Sequence, residues 1–354
     1  MSALFTPFRQ RQVQFRNRIV VSPMCMYSCV EGMANDWTLV HLGSRAVGGA
    51  GLVIAEATGV LPEGRIGVGD LGLWADAHLE PLRRVADFIR AQGAKAGIQL
   101  AHAGRKASTL ADGARSLTAT EGGWEIVAPS ALPFSPAHDT PRALLREELP
   151  RIAAAFAAAT ARADRAGFDL VELHAAHGYL MHQFLSPMTN QRTDEYGGSQ
   201  ANRFRFVLEC VAAMRAALSP DKPLWVRLSA TDYLEGGWTV DDSVALAHEL
   251  KALGVDLVDC SSGAILPKVR IPVAPGFQVP FAERIRRETG IATAAVGLIS
   301  EPAQAEAIVA TGQADMVLVA REFLRDPYWA LHAATALGVK VDYWPQQYWA
   351  VAPR

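Results

Sequence analysis

The chain has 354 residues, half of them hydrophobic, with 34 Lys and Arg against 36 Asp and Glu for a formal net charge of −2. That length can bury a substantial core, in one large domain or two. The near balance of charge removes any general attraction to nucleic acid or an anionic membrane, leaving small-molecule chemistry as the expected activity, and the lack of a run of about 18 apolar residues predicts a soluble protein.

Residues 1–18 carry Arg9, Arg11, Arg16 and Arg18 but no apolar core of a signal peptide. The four cysteines, Cys25, Cys29, Cys210 and Cys260, form neither paired CxxC motifs nor a disulfide-dense pattern, so a reducing cytoplasm is the expected location. Short β-branched or apolar runs predict strands at 19–21, 52–55, 96–100 and 170–173, and again at 224–228, 257–260, 292–296 and 316–319. Helix-forming segments with apolar periodicity lie between them at 81–92, 149–166, 202–218, 240–253, 281–289 and 302–311. Gly93, Gly167, Gly254, Gly290 and Gly312 stand where five of these helices must stop.

Eight strands alternating with helices predict an α/β protein built as a (β/α)8 TIM barrel in a single domain over 1–354, although an open doubly wound sheet uses the same connections. The polar residues separate the two. Cys25, Gln99, His174, Arg227, Ser261 and Arg321 sit at or just beyond strand C-terminal ends along the whole chain, and only a barrel brings those ends to one mouth. No strand leads into a clear GxGxxG turn. Two segments fall outside the repeat: 106–141, rich in Gly and Pro, is expected to form a lid or side wall after the third strand, and the aromatic tail 343–354 must pack on its own barrel or on another subunit.

The fourth strand ends in Glu172, Leu173, His174, Ala175, Ala176, His177, Gly178 and Tyr179. Two imidazoles and a phenol can hydrogen-bond a carbonyl-like oxygen and supply a proton beside it. The same His-x-x-His spacing suits a zinc site, and interior histidines held by the backbone are a third reading. No third ligand with matching spacing is evident, so no metal is expected.

Taken together, the ordered motifs resemble the old yellow enzyme family of flavin-dependent ene-reductases, in its bacterial, thermophilic-like class. They are 17–27 (NRIVVSPMCMY), 99–106 (QLAHAGRK), His174 to Tyr179, Ser186-Pro187, 190–198 (NQRTDEYGG), Asn202-Arg203, 226–228 (VRL) and Arg321 before Asp326-Pro327. The resemblance spans almost the whole chain. It implies tightly bound, non-covalent FMN at the barrel mouth, NADPH or NADH as reductant, and an enone or nitro compound as substrate. By this likeness Ser22, Pro23, Met24 and Cys25 line the flavin ring, with Cys25 modulating its redox behaviour. Ala57 and Gln99 contact the ring, Gln99 through an amide that suits its pyrimidine edge. Arg227 lies near N1 and O2, where a fixed cation stabilises the charge of reduction; the competing reading is a structural ion pair, with Glu172, on the strand face of His174, as a candidate partner, and the two roles can coexist. Gly297, Ala320 and Arg321 are implied for the phosphate, Ala320 replacing the commoner glycine, which a negative φ permits. His174 and His177 grip the substrate oxygen, Tyr179 donates the proton, and Tyr27 and Lys106 border the substrate.

The likeness further implies a homodimer or homotetramer in which the tail reaches a neighbouring active site. There the family places an arginine that this chain lacks, leaving Trp349 or Arg354 as the substitute. A non-catalytic flavin or small-molecule binding barrel is the alternative from another class, and a dienoyl-CoA reductase type, with an iron-sulfur cluster, is disfavoured by the cysteine pattern and chain length.

Overall fold

A computed structural model describes residues 2–352. Eight strands, β1 (Ile19–Val21), β2 (Leu52–Gly59), β3 (Lys95–Ala101), β4 (Leu170–Ala175), β5 (Leu224–Ser229), β6 (Leu257–Ser261), β7 (Ala292–Ala295) and β8 (Met316–Val319), pair in parallel in chain order. β8 closes on β1, which makes the sheet a barrel and excludes the open sheet. The strands are buried on both faces because one face fills the barrel and the other meets the helices.

The helices are α1 (Asp36–Val47), α2 (Leu79–Ala91), α3 (Leu149–Arg165), α4 (Leu180–Leu185), α5 (Gln200–Ala217), α6 (Val240–Ala252), α7 (Val279–Thr289), α8 (Pro302–Ala310), α9 (Arg321–Arg325) and α10 (Trp329–Ala336). All six expected helices form, and the five expected stop glycines adopt left-handed φ between 63° and 89°. Four more were not expected. In α1, Thr38, Val40, Gly43 and the exposed Trp37 blur the apolar period. A reciprocal cap starts that helix, Asn35 Oδ1 accepting from Thr38 N at 3.2 Å and Thr38 Oγ1 from Asn35 N at 3.3 Å.

The barrel is filled unevenly, and that is what creates a site. At its N-terminal end an antiparallel hairpin (Phe8–Gln10 with Val13–Phe15) forms a plug, with Phe15 packed on Trp225 among Val20, Leu52, Leu170 and Met316. Trp225 Nε1 donates to Gln10 Oε1 at 2.7 Å, so even the buried indole N–H has a partner. Toward the C-terminal end the interior becomes polar, since register sets Gln99 beside Glu172, His174 beside Arg227, and Arg227 beside Asp259.

The excursion after β3 consists of short 3-10 turns and one two-stranded pairing, Val127–Ala128 with Arg142–Ala143. Buried Arg105 pins it, donating to Leu132 O, Pro133 O and, across the mouth, Ile265 O. The tail packs at the opposite end of the barrel: Asn17 Nδ2 donates to Tyr343 Oη at 3.0 Å, and Arg16 stacks on the Tyr343 ring. Farther on, Tyr348 meets Tyr328 edge to face and Trp349 stays 64% exposed, while Arg354 lies outside the described residues.

Candidate functional site

Beyond β4 the chain turns sharply, with His177 at φ 57° and Gly178 at φ 72°. A side chain at Gly178 would strike Ala264 O at 2.4 Å, so the turn needs glycine for close approach as well as for its φ. His177 has no such freedom, and a non-glycine residue there costs about 1–3 kcal/mol. Its backbone is held on both sides: its N–H donates to Ser229 Oγ at 2.9 Å, and its carbonyl accepts from Lys106 Nζ at 2.7 Å. Lys106 also reaches Ala264 O at 2.8 Å and lies over the Phe134 and Tyr179 rings. Rather than pointing into solvent, it ties together the loops after β3, β4 and β6. Burial, with neighbouring Arg105, lowers its pKa to about 7.

The turn stacks His174 against His177, ring centroids 5.1 Å apart, and against Tyr179 at 4.8 Å, both edge to face. His174 Nδ1 accepts the Ala176 N–H at 3.2 Å, so a neutral ring carries its proton on Nε2. That nitrogen lies 3.3 Å from His177 Nδ1, while His177 Nε2 lies 2.6 Å from Ser261 Oγ. These contacts gather His174, His177 and Ser261 between β4 and β6, and the tautomer of His177 decides which of its nitrogens donates. Burial, and then the Arg227 charge, push both histidines well below the ordinary imidazole pKa, leaving them neutral. Burial pushes the Tyr179 phenol well above its ordinary value, so it keeps its proton. Among the described residues no three His, Cys, Asp or Glu side chains gather as a metal shell.

Gln99 is buried and donates from Nε2 to Glu172 Oε1 at 2.8 Å. The candidate Arg227–Glu172 ion pair does not form. Arg227 instead turns Nε to Asp259 Oδ2 at 2.9 Å, because β6 lies next to β5 and sets Asp259 level with it. Among the described residues the terminal nitrogens of Arg227 have no acceptor, and Arg227 lines a cleft of about 260 Å³ with Ser261, Gln278, Gly297, Ala320 and Arg321. Ala320 has φ −110°, so its Cβ is tolerated. Sequence reasoning missed Gln278, which donates to Val296 O, and Arg325, which follows Arg321 by one helical turn at the cleft edge.

β1 stops at Val21, and Ser22 continues only as far as a 3.0 Å bond from its N–H to Val319 O. Pro23 to Tyr27 then run without regular structure. Met24 packs into the strand–helix layer, whereas Cys25 and Tyr27 cluster with Ala57, Ile66 and Tyr179. A bulge in β2 between Ala55 and Ala57 frees Glu56, whose Oε2 accepts the Met26 N–H at 2.9 Å. Burial beside Asp70 and Glu56 holds the Cys25 thiol protonated, well above its ordinary pKa. A second cavity of about 190 Å³, lined by Tyr27, Lys106, Phe134, His138 and Tyr179, makes the excursion a side wall of this site.

A family model described as "NADH:flavin oxidoreductase / NADH oxidase family" matches residues 3–338. The chain is 50% identical over 341 residues to an NADPH dehydrogenase of Geobacillus sp. (strain WCH70), covering 96% of each. Among solved structures, morphinone reductase matches with TM-score 0.80 and 30% identity over 96% of this chain and 91% of that one. A complex of 2-naphthoyl-CoA reductase matches with TM-score 0.87 and 28% identity over 95% of this chain, which spans about half of that one, 52%.

Proposed function

The chain belongs to the NADH:flavin oxidoreductase / NADH oxidase family, as an FMN-dependent NADPH oxidoreductase of the old yellow enzyme type, and on that footing we propose that it reduces activated C=C bonds of α,β-unsaturated carbonyl or nitro compounds. Bound FMN would supply what no side chain can, accepting a hydride from NAD(P)H and returning it to the β-carbon of the alkene. The residues present fit such a group. Arg227 offers unpartnered donors at the cleft, Gln99 offers its amide, and Gly297, Ala320 and Arg321 border the space for a phosphate. Ser22, Pro23, Met24, Cys25 and Ala57 would form the wall on the β1–β2 side.

The observation that carries the reading is a neutral imidazole, His174, edge-on to both a second neutral imidazole, His177, and a protonated phenol, Tyr179. His174 presents Nε2–H because the Ala176 amide occupies its other nitrogen. For His177 to join it on one substrate oxygen, its proton sits on Nδ1 and Ser261 Oγ–H donates to Nε2, a tautomer the 2.6 Å contact permits. Two such donors withdraw density from a conjugated C=C. Tyr179 then gives its proton to the α-carbon, with Tyr27 and Lys106 bounding the substrate. The tail, held at the far end of its own barrel with Trp349 exposed, supports assembly as a dimer or tetramer in which it meets a neighbour.

The test is anaerobic NADPH oxidation with 2-cyclohexenone in D2O. The reading expects saturated ketone with one solvent deuterium at the α-carbon. A binding barrel without turnover would give no oxidation above background.

A further inference from the structure

Of the buried carboxylates that the proposed chemistry does not use, two each back one of the groups assigned to the flavin. Glu172, 0% exposed, accepts from Gln99 Nε2 at 2.8 Å, and Asp259, also 0% exposed, lies 2.9 Å from Arg227 Nε. Neither contact is accidental. Gln99 and Glu172 are level across β3 and β4, and Arg227 and Asp259 are level across β5 and β6, so the barrel register itself builds both pairs. Glu172 Oε2, both Asp259 oxygens and Arg227 Nε make no hydrogen bond among the described residues, so Asp259 meets Arg227 as a close ion pair without hydrogen-bond alignment, an arrangement that an apolar replacement would have avoided.

Resting on the FMN-dependent reading, we propose that Glu172 and Asp259 are positioning residues for the cofactor: Glu172 fixes which end of the Gln99 amide faces the flavin, and Asp259 holds Arg227 while offsetting its charge, setting the reduction potential. A carboxyl of Glu172 that accepts from Nε2 leaves Gln99 Oε1 as the free end of the amide, one that would meet a ring N–H rather than a ring carbonyl. Asp259 engages Nε, at the near side of the guanidinium, and leaves the two terminal nitrogens for the cofactor. Burial raises both carboxyl pKa values, and Asp259 raises that of Glu172 further whereas Arg227 holds Asp259 down, so Glu172 is the group that keeps a proton and Asp259 stays the counter-ion of Arg227. Arg227 with ionised Asp259 is then nearly neutral, and removing the aspartate charge exposes a full cation to the reduced flavin's negative charge.

The experiment measures the flavin midpoint potential of the holoprotein at one pH, and FMN release on dilution, for D259N, D259S, E172Q, E172L and Q99A. D259N is expected to favour the reduced form by at least tenfold, an upward shift of about 30 mV for a two-electron couple. D259S, which leaves room for a water, should shift the same way. E172L should weaken FMN retention about tenfold, E172Q should restore it, and E172L should add nothing once Q99A is present. Yellow D259N or D259S with an unshifted or lowered potential overturns the tuning role, as does loss of folded protein in both. Independent, additive losses in E172L and Q99A overturn the orientation role. A wild-type protein that never holds flavin defeats the underlying functional reading instead, so the two failures are distinguishable.

Discussion

Replacing Tyr179 with Phe removes one oxygen and leaves almost everything else in place. The hydroxyl has no protein partner among the described residues, and the ring keeps its edge-to-face contact with His174 at 4.8 Å. Stability should therefore change by no more than about 0.5 kcal/mol. The chemistry should change far more, because a positioned general acid contributes about 10²–10⁴ in rate, or about 2.7–5.5 kcal/mol in the barrier. That loss belongs to the oxidative half-reaction alone, since reduction by NADPH needs no proton from Tyr179. Anaerobic stopped-flow at the flavin absorbance band separates the two phases. The expected result is an enone phase slowed by about a hundredfold or more beside an NADPH phase within a factor of about three of wild type. Equal slowing of both phases, or none in the enone phase, refutes the proton-donor assignment.

His174→Ala or His177→Ala should weaken binding of a phenol to the oxidised enzyme by at least about tenfold, each removing a donor worth about 1.4 kcal/mol or more, as read by the long-wavelength absorbance of the complex; unchanged affinity contradicts the oxygen clamp. Lys106→Met strips partners from the His177 and Ala264 carbonyls and should cost about 2–4 kcal/mol in urea unfolding, with a weaker phenol complex; a loss below about 0.5 kcal/mol contradicts the strut. The histidines also predict a pH dependence. Their folded-state pKa values lie below the ordinary 6.5, so as pH falls the unfolded chain takes up protons first. The difference in stability between wild type and H174N/H177N should be constant above about pH 6.5 and shift against wild type below it, by at most about 1.4 kcal/mol per pH unit for each histidine. A flat difference down to pH 5 would mean that the rings are charged in the fold.

The barrel was legible because buried strands read as short β-branched runs, and because five helices end on glycines that only a left-handed turn requires. α1 was not, since its helical character comes from the Asn35–Thr38 cap and from packing rather than from propensity. Strand alternation put Glu172 and His174 on one face, but period alone says nothing of stagger between strands. Period therefore cannot choose a partner for Arg227, and it is the register of β6 on β5 that sets Asp259 beside it in place of Glu172. Glu56 was invisible for a related reason: a bulge in β2 re-aims it at the Cys25–Tyr27 loop, and no local pattern marks that bulge. The motif HAGRK marked Lys106 as near the mouth, yet its role as a tie between three loops depends on carbonyls at His177 and Ala264, far apart in sequence.

The central claim is that this barrel passes a hydride from NADPH to an activated alkene, and a single turnover tests it most directly. Protein bleached by one equivalent of NADPH without oxygen is mixed with 2-cyclohexenone, and flavin absorbance is followed alongside product. The account predicts full recovery of the absorbance with one cyclohexanone formed per flavin. Persistent bleaching, or recovery without saturated ketone, would contradict it.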